Sequence, residues 1–95
     1  MKIIPSKNKK FKYTAYFKLD NGKEKKTNFG AKGMSDYTIH KDKDRRERYR
    51  KRAINQIKNP KTGPMSASYL SYYLLWGDST SLGKNIIDYK KKFNL

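Results

Sequence analysis

Twelve consecutive positions, Lys41 to Arg52, hold the densest chemistry in the chain. Lys41, Lys43, Arg45, Arg46, Arg48, Arg50, Lys51 and Arg52 stand there against only Asp42, Asp44 and Glu47. Ammonium and guanidinium groups donate hydrogen bonds and carry charge, but at neutral pH they take no protons and attack no electrophiles. The run therefore points to the binding of anions, with Lys90, Lys91 and Lys92 as a second, shorter cluster of the same kind. No base-reading motif accompanies either cluster, so contacts to nucleic acid would be to phosphates and independent of sequence.

The residues that would make a reaction centre are thinly supplied. His40 is the single histidine and cysteine is absent. One imidazole without a thiolate does not make a usual zinc site, and no metal or other cofactor is expected. Asp44 and Glu47, with Asp42 before them, share a helical stretch, but they are interleaved with Lys and Arg and sit where a helix start favours acids. Ser66, Ser68 and Ser71 have no base near them in sequence. No glycine-rich phosphate loop is present. The expectation is a protein without enzymatic activity or a small-molecule substrate.

These groups must be positioned by a small scaffold. Phe11, Tyr13, Ala15, Phe17 and Leu19 alternate with Lys12, Thr14, Tyr16 and Lys18, the period of a half-buried strand. Asp20-Asn21-Gly22 follows as a hairpin turn. A three-residue loop sets Ala15 opposite Thr27 and Tyr13 opposite Phe29, which keeps apolar groups on one face and puts Gly22 at the left-handed bulge position. The returning strand runs from about Lys23 to Phe29. Residues 34–40 read as a connector, and a helix follows from about Lys41 to Lys58, stopped by Asn59-Pro60. Tyr49, Ala53 and Ile57 give that helix a narrow apolar stripe, with basic groups over most of the remaining circumference. A second helix is expected over about Met65 to Trp76, with Pro64 in its first turn and Gly77 closing it. Its Tyr69, Leu70, Tyr73, Leu74 and Trp76 are the candidate core or protein interface. Ser79-Thr80-Ser81 caps a last helix bearing Leu82, Ile86, Tyr89 and Phe93 on one side. The fold class is α+β: a small single domain over residues 11–95, an N-terminal β-hairpin followed by two or three α-helices, behind a basic extension at residues 1–10. Tyr13, Tyr16, Phe17 and Phe29 either stack exposed bases or form the hairpin's core face, with Tyr16 on the opposite side.

The totals say what such a scaffold can bind. The chain has 95 residues and a formal net charge of +16. Apolar content is only 35%, but 8 Tyr, 4 Phe and 1 Trp can build a core from few positions, which argues against disorder. The uncompensated charge repels itself, and a polyanionic or acidic partner relieves that repulsion. On composition alone nucleic acid ranks first. An acidic protein surface ranks second, and an anionic membrane third. The membrane would be touched and not spanned, since the longest apolar run, Tyr72 to Trp76, is far too short. Met1-Lys2-Ile3-Ile4-Pro5 has no apolar stretch behind it, so no signal peptide is expected.

Two stretches carry a resemblance. One is Ser35-Asp36-Tyr37-Thr38-Ile39-His40-Lys41-Asp42, continuing to Arg45, Arg46, Glu47, Arg48 and Tyr49. The other is Leu74-Leu75-Trp76-Gly77-Asp78-Ser79-Thr80-Ser81-Leu82, continuing to Ile86, Asp88, Tyr89, Lys90, Lys91 and Phe93. With the hairpin before them they resemble a family of short basic proteins of the nucleocytoplasmic large DNA viruses of algae and protists. The resemblance implies a virion component made in the host cell interior. It implies a minor capsid or cement-type protein that binds acidic surfaces of capsid or other virion proteins. The alternative is a sequence-nonspecific nucleic-acid-binding or genome-packaging protein.

Overall fold

The computed structural model describes residues 1–59 and 61–95. Pro60, expected to help stop the long helix, lies outside the described residues. The architecture is α+β. A three-stranded antiparallel sheet is built from β1 (Lys2–Pro5), β2 (Phe11–Lys18) and β3 (Glu24–Ala31), with β2 in the centre. Four helices follow: α1 (Tyr37–His40), α2 (Lys43–Lys58), α3 (Ala67–Leu70) and α4 (Leu82–Phe93). The third passes without a break into a π-helical turn, Ser71–Leu75.

The hairpin forms in the register that its alternation demands. Ala15 lies opposite Thr27 and Tyr13 opposite Phe29. The N–H of Leu19 donates to the carbonyl of Lys23 at 2.8 Å, so Asp20, Asn21 and Gly22 form the three-residue loop, and Gly22 takes φ +82°. A hairpin alone was expected, but the sheet has a third strand. Lys2–Pro5, within the basic lead, pairs with β2, with Ile3 opposite Ala15. Three strands with one covered face are stable where an isolated hairpin is marginal.

The helices depart from expectation in two places. The connector at residues 34–40 contains α1, because buried Asp36 accepts a hydrogen bond from the Thr38 N–H and caps one turn. Lys41 is not helical: it closes α1 in the left-handed conformation, φ +58°. Asp42 then starts α2 afresh by accepting from the N–H groups of Asp44 and Arg45. The second departure is the helix expected over Met65 to Trp76. It starts at Ala67 behind a Ser66 cap, and its second half winds with wider hydrogen bonds, the Trp76 N–H donating to the carbonyl of Ser71. Gly77 follows, buried, where an added Cβ would lie 2.1 Å from the Tyr73 carbonyl oxygen; no other residue fits.

The core gathers Ala15, Phe17 and Phe29 from the sheet with Leu70, Leu74, Leu75 and Tyr89 from the helices. Of the five residues named as core or interface, Leu70 and Leu74 are fully buried, and Tyr69, Tyr73 and Trp76 pack against them half-buried. Polar contacts tie the layers. Thr27 Oγ1 donates to the Met65 carbonyl at 2.8 Å, and the Tyr69 hydroxyl donates to the Ile57 carbonyl at 2.9 Å. Among the described residues no helix is long and apolar enough to cross a membrane.

Candidate functional site

The eight cations of Lys41 to Arg52 do not act together. Arg46 and Arg50 turn inward and finish the π-helical segment. Arg46 Nε donates to the Gly77 carbonyl at 2.6 Å, and its Nη2 to Asp78 at 2.8 Å. Arg50 Nη1 donates to the carbonyls of Trp76 at 2.8 Å and Tyr72 at 3.2 Å, with the guanidinium 3.9 Å over the Tyr72 ring. From the other side Asn85, buried on α4, donates through Nδ2 to the carbonyls of Leu74 and Ser79. Carbonyls freed where a helix widens and ends need partners. Here long side chains from α2 and α4 supply them. Two residues read from sequence as anion binders are thus engaged by the protein's own backbone.

Arg45, Arg48 and Arg52 take the opposite course. At helical spacing of three and four they share one exposed face of α2, and none of them belongs to an ion pair among the described residues. They line one side of a cleft of about 370 Å³. The end of β3 and the following loop (Gly30, Ala31, Met34, Ser35, Asp36) form a second side, and Ser71 and Leu75 of the π-helical segment, with Trp76 just after it, form the back. Lys12 of β2 also lines it, but its Nζ lies 2.6 Å from Asp36 Oδ2. The other oxygen of Asp36 accepts from the Thr38 N–H and hydroxyl. The cleft's one carboxylate is therefore already paired with Lys12, and three guanidinium groups remain uncompensated around it.

The aromatic residues of the cleft are stacked on one another. Tyr49 lies on Trp76 with ring centroids 4.3 Å apart and planes 11° from parallel. His40 sits 5.2 Å from Trp76. Burial pushes the Tyr49 hydroxyl above its ordinary range, against the opposing pull of Arg52 and Ser71, so it stays protonated. His40 Nδ1 accepts from the Asp42 N–H at 2.8 Å, which leaves the proton on Nε2, buried and without a partner. Among the described residues no cluster of three or more His, Cys, Asp or Glu could hold a metal ion.

The remaining predicted residues lie apart. Lys41 and Lys43 are exposed around the start of α2, and Lys51 lies with Glu47, Arg48 and Ile54 over a shallow surface hollow. Lys90, Lys91 and Lys92 form the last turn of α4, with Lys92 5.5 Å from the Tyr73 ring. A second depression joins Lys92 and Arg50 to Asp78 and Asp88, so its charges balance. Sequence reasoning missed Lys12, Met34, Asp36 and Tyr49 as parts of one cleft. Only the stripe position of Tyr49 hinted at an inward direction, since Lys12 and Asp36 are 24 residues apart.

A family model described as "Family of unknown function (DUF5754)" matches residues 1–53, more than half of the chain. The chain belongs to this family. Comparison with curated proteins and with solved structures finds no match. The DUF5754 segment contains the whole sheet, α1, and Arg45, Arg48 and Arg52 of the cleft. The π-helical wall lies outside it.

Proposed function

We propose that this protein is a non-enzymatic structural component of a virus particle, of the minor capsid or cement type, that holds acidic surfaces of neighbouring capsid or other virion proteins. The observation that carries the binding half of this reading is the uncompensated guanidinium face: Arg45, Arg48 and Arg52 border a cleft whose one carboxylate is already neutralised by Lys12. Guanidinium forks match carboxylates in pairs of parallel hydrogen bonds, and they stay charged at any working pH. The non-enzymatic reading is supported by the state of the proton-transfer groups, since Asp36 is ion-paired with Lys12 and caps α1, and the unpartnered nitrogen of His40 is buried. The virion setting is supported by the resemblance of residues 35–49 and 74–93 to the basic proteins of large DNA viruses.

The second reading is sequence-nonspecific nucleic-acid binding, favoured by the net charge of +16 and by Tyr16, half-buried between Lys2 and Lys26 on neighbouring strands. The two readings separate by experiment. A cross-linking map of purified particles should place the chain against acidic shell proteins. Reversing Arg45, Arg48 and Arg52 to Glu should abolish capture of those proteins while leaving the fold intact. Under the second reading the same variant instead loses duplex DNA, and the logarithmic salt slope falls by about 0.9 for each phosphate contact removed. A wild-type chain indifferent at low ionic strength to DNA, to acidic shell proteins and to anionic vesicles would refute both.

A further inference from the structure

Resting on the reading of the arginine face as a protein-binding surface, we infer that the cleft takes one particular kind of partner segment: an acidic stretch of polypeptide carrying a single aliphatic side chain. The carboxylates of that segment bind Arg45, Arg48 and Arg52, and the aliphatic group enters the cleft.

Charge alone would permit any polyanion; the back of the cleft narrows the choice. Trp76, half-buried in front of core Leu75, presents apolar surface there, and Met34, 66% exposed, also lines the cleft. An aliphatic group on the partner would cover Met34 and Trp76 together, which a purely ionic ligand would not. The space, about 370 Å³, accommodates one side chain and its flanking backbone. A nucleobase would need a free ring face. Trp76 is covered by Tyr49 on one side, with His40 packed nearby, so the aromatic groups of the site are already used in stacking with each other. Spacing is consistent as well. Arg48 and Arg52 are about 6 Å apart along the helix axis, close to the separation of alternate side chains on an extended strand. The wall itself is a π-helical turn, a geometry frequent at functional sites, and Arg50 holds it through the Tyr72 carbonyl, while Arg50 and Arg46 hold the chain just after it through the carbonyls of Trp76 and Gly77.

Trp76 is the only tryptophan in the chain, so its emission reports occupancy directly. The experiment titrates the full-length protein with three probes at low salt: a capped peptide Glu-Glu-Leu-Glu-Glu, the same peptide with Gly for Leu, and an oligothymidylate of equal charge. The expected result is a saturable change in Trp76 emission with the leucine peptide, and affinity about ten-fold or more above that of the glycine peptide. Arg45→Ala, Arg48→Ala and Arg52→Ala together should weaken both peptides about ten-fold or more. Met34→Ser should erase the preference for leucine alone. Replacing Lys90, Lys91 and Lys92 by Ala should leave all of this unchanged. Circular dichroism establishes that each variant is folded. Equal affinity for the two peptides with silent Trp76 emission would overturn the inference and leave the cationic surface standing. Tighter binding of the oligothymidylate through the same arginines would overturn it in favour of nucleic acid. Failure of every probe to bind would remove the underlying reading as well.

Discussion

Truncating Arg50 to Ala should cost the fold about 3 kcal/mol, although it relieves a chain carrying +16 of one positive charge. Its Nη1 reaches the Trp76 carbonyl at 2.8 Å and the Tyr72 carbonyl at 3.2 Å, and the guanidinium lies 3.9 Å over the Tyr72 ring. Losing the shorter charge-assisted bond, with its acceptor left in a half-buried site, costs about 2 kcal/mol, and the longer one about 1. The cation–π contact adds about 1 kcal/mol. Freedom regained by not holding a long side chain offsets about 1 kcal/mol. The net loss is a large part of the roughly 5–15 kcal/mol that such a domain has, and it lowers the melting temperature by roughly 12–24 °C. Urea unfolding followed by Trp76 emission and by far-ultraviolet circular dichroism measures it, with the exposed neighbour Lys51→Ala as the reference, expected within about 0.5 kcal/mol of the wild type. If Arg50→Ala were no worse than Lys51→Ala, the guanidinium would not be closing the π-helical segment, and Arg50 would return to the pool of surface cations.

Gly77→Ala places a Cβ 2.1 Å from the Tyr73 carbonyl oxygen and 3.0 Å from Asn85 Cγ, so it should destabilise by about 2 kcal/mol or more in the same urea assay. Asp36→Asn keeps acceptor and shape but leaves the Lys12 ammonium, 15% exposed, without its counter-charge, and should cost about 3 kcal/mol; Lys12→Met in the same chain should recover part of this. At the alkaline end, burial raises the hydroxyls of Tyr89, Tyr49 and Tyr73 above the ordinary tyrosine range in the folded state. Their contribution is complete below about pH 10 and is lost as pH rises through that value toward the folded pKa values, so the urea midpoint should fall only there, together with the appearance of tyrosinate absorbance. A midpoint already falling by about pH 8 would contradict this. At the acid end, the Asp42 carboxyl is held low chiefly by the Arg45 N–H at the start of α2, so the helix signal should weaken only as pH falls below about 4.

The parts of this fold set by local rules were readable in advance. Alternation along Phe11 to Leu19 and a glycine at the bulge position determined the hairpin register, because a slip of one residue would have turned Ala15 and Phe17 away from the core. Ser81 announced α4 in the same way. What escaped depends on partners distant in sequence. Lys2–Pro5 is too short to show a period and becomes a strand only because β2 offers an edge. The helix through Leu70 to Leu75 reads as ordinary, and its widening appears only when Arg50 and Asn85 take the released carbonyls. A run of eight cations likewise gives no sign of which two are internal. Arg46 and Arg50 do lie three residues before Tyr49 and Ala53 of the apolar stripe, and that offset was the available clue.

Arg46 and Arg50 grip the ends of carbonyl groups, and a carbonyl belongs to the main chain whatever residue carries it. The segment that matches the family model, residues 1–53, supplies both gripping side chains, while most of what they grip, from Tyr72 to Gly77, lies beyond it. The joint between the two halves therefore asks of its second half chiefly a backbone path, which Gly77 makes possible, with the Tyr72 ring and the Asp78 carboxylate as its side-chain contacts. A substitution at residue 76 leaves both hydrogen bonds of Arg50 in place, and one at residue 72 removes only the ring beneath the guanidinium. A fragment ending at residue 53 would keep two cationic arms with nothing to close on.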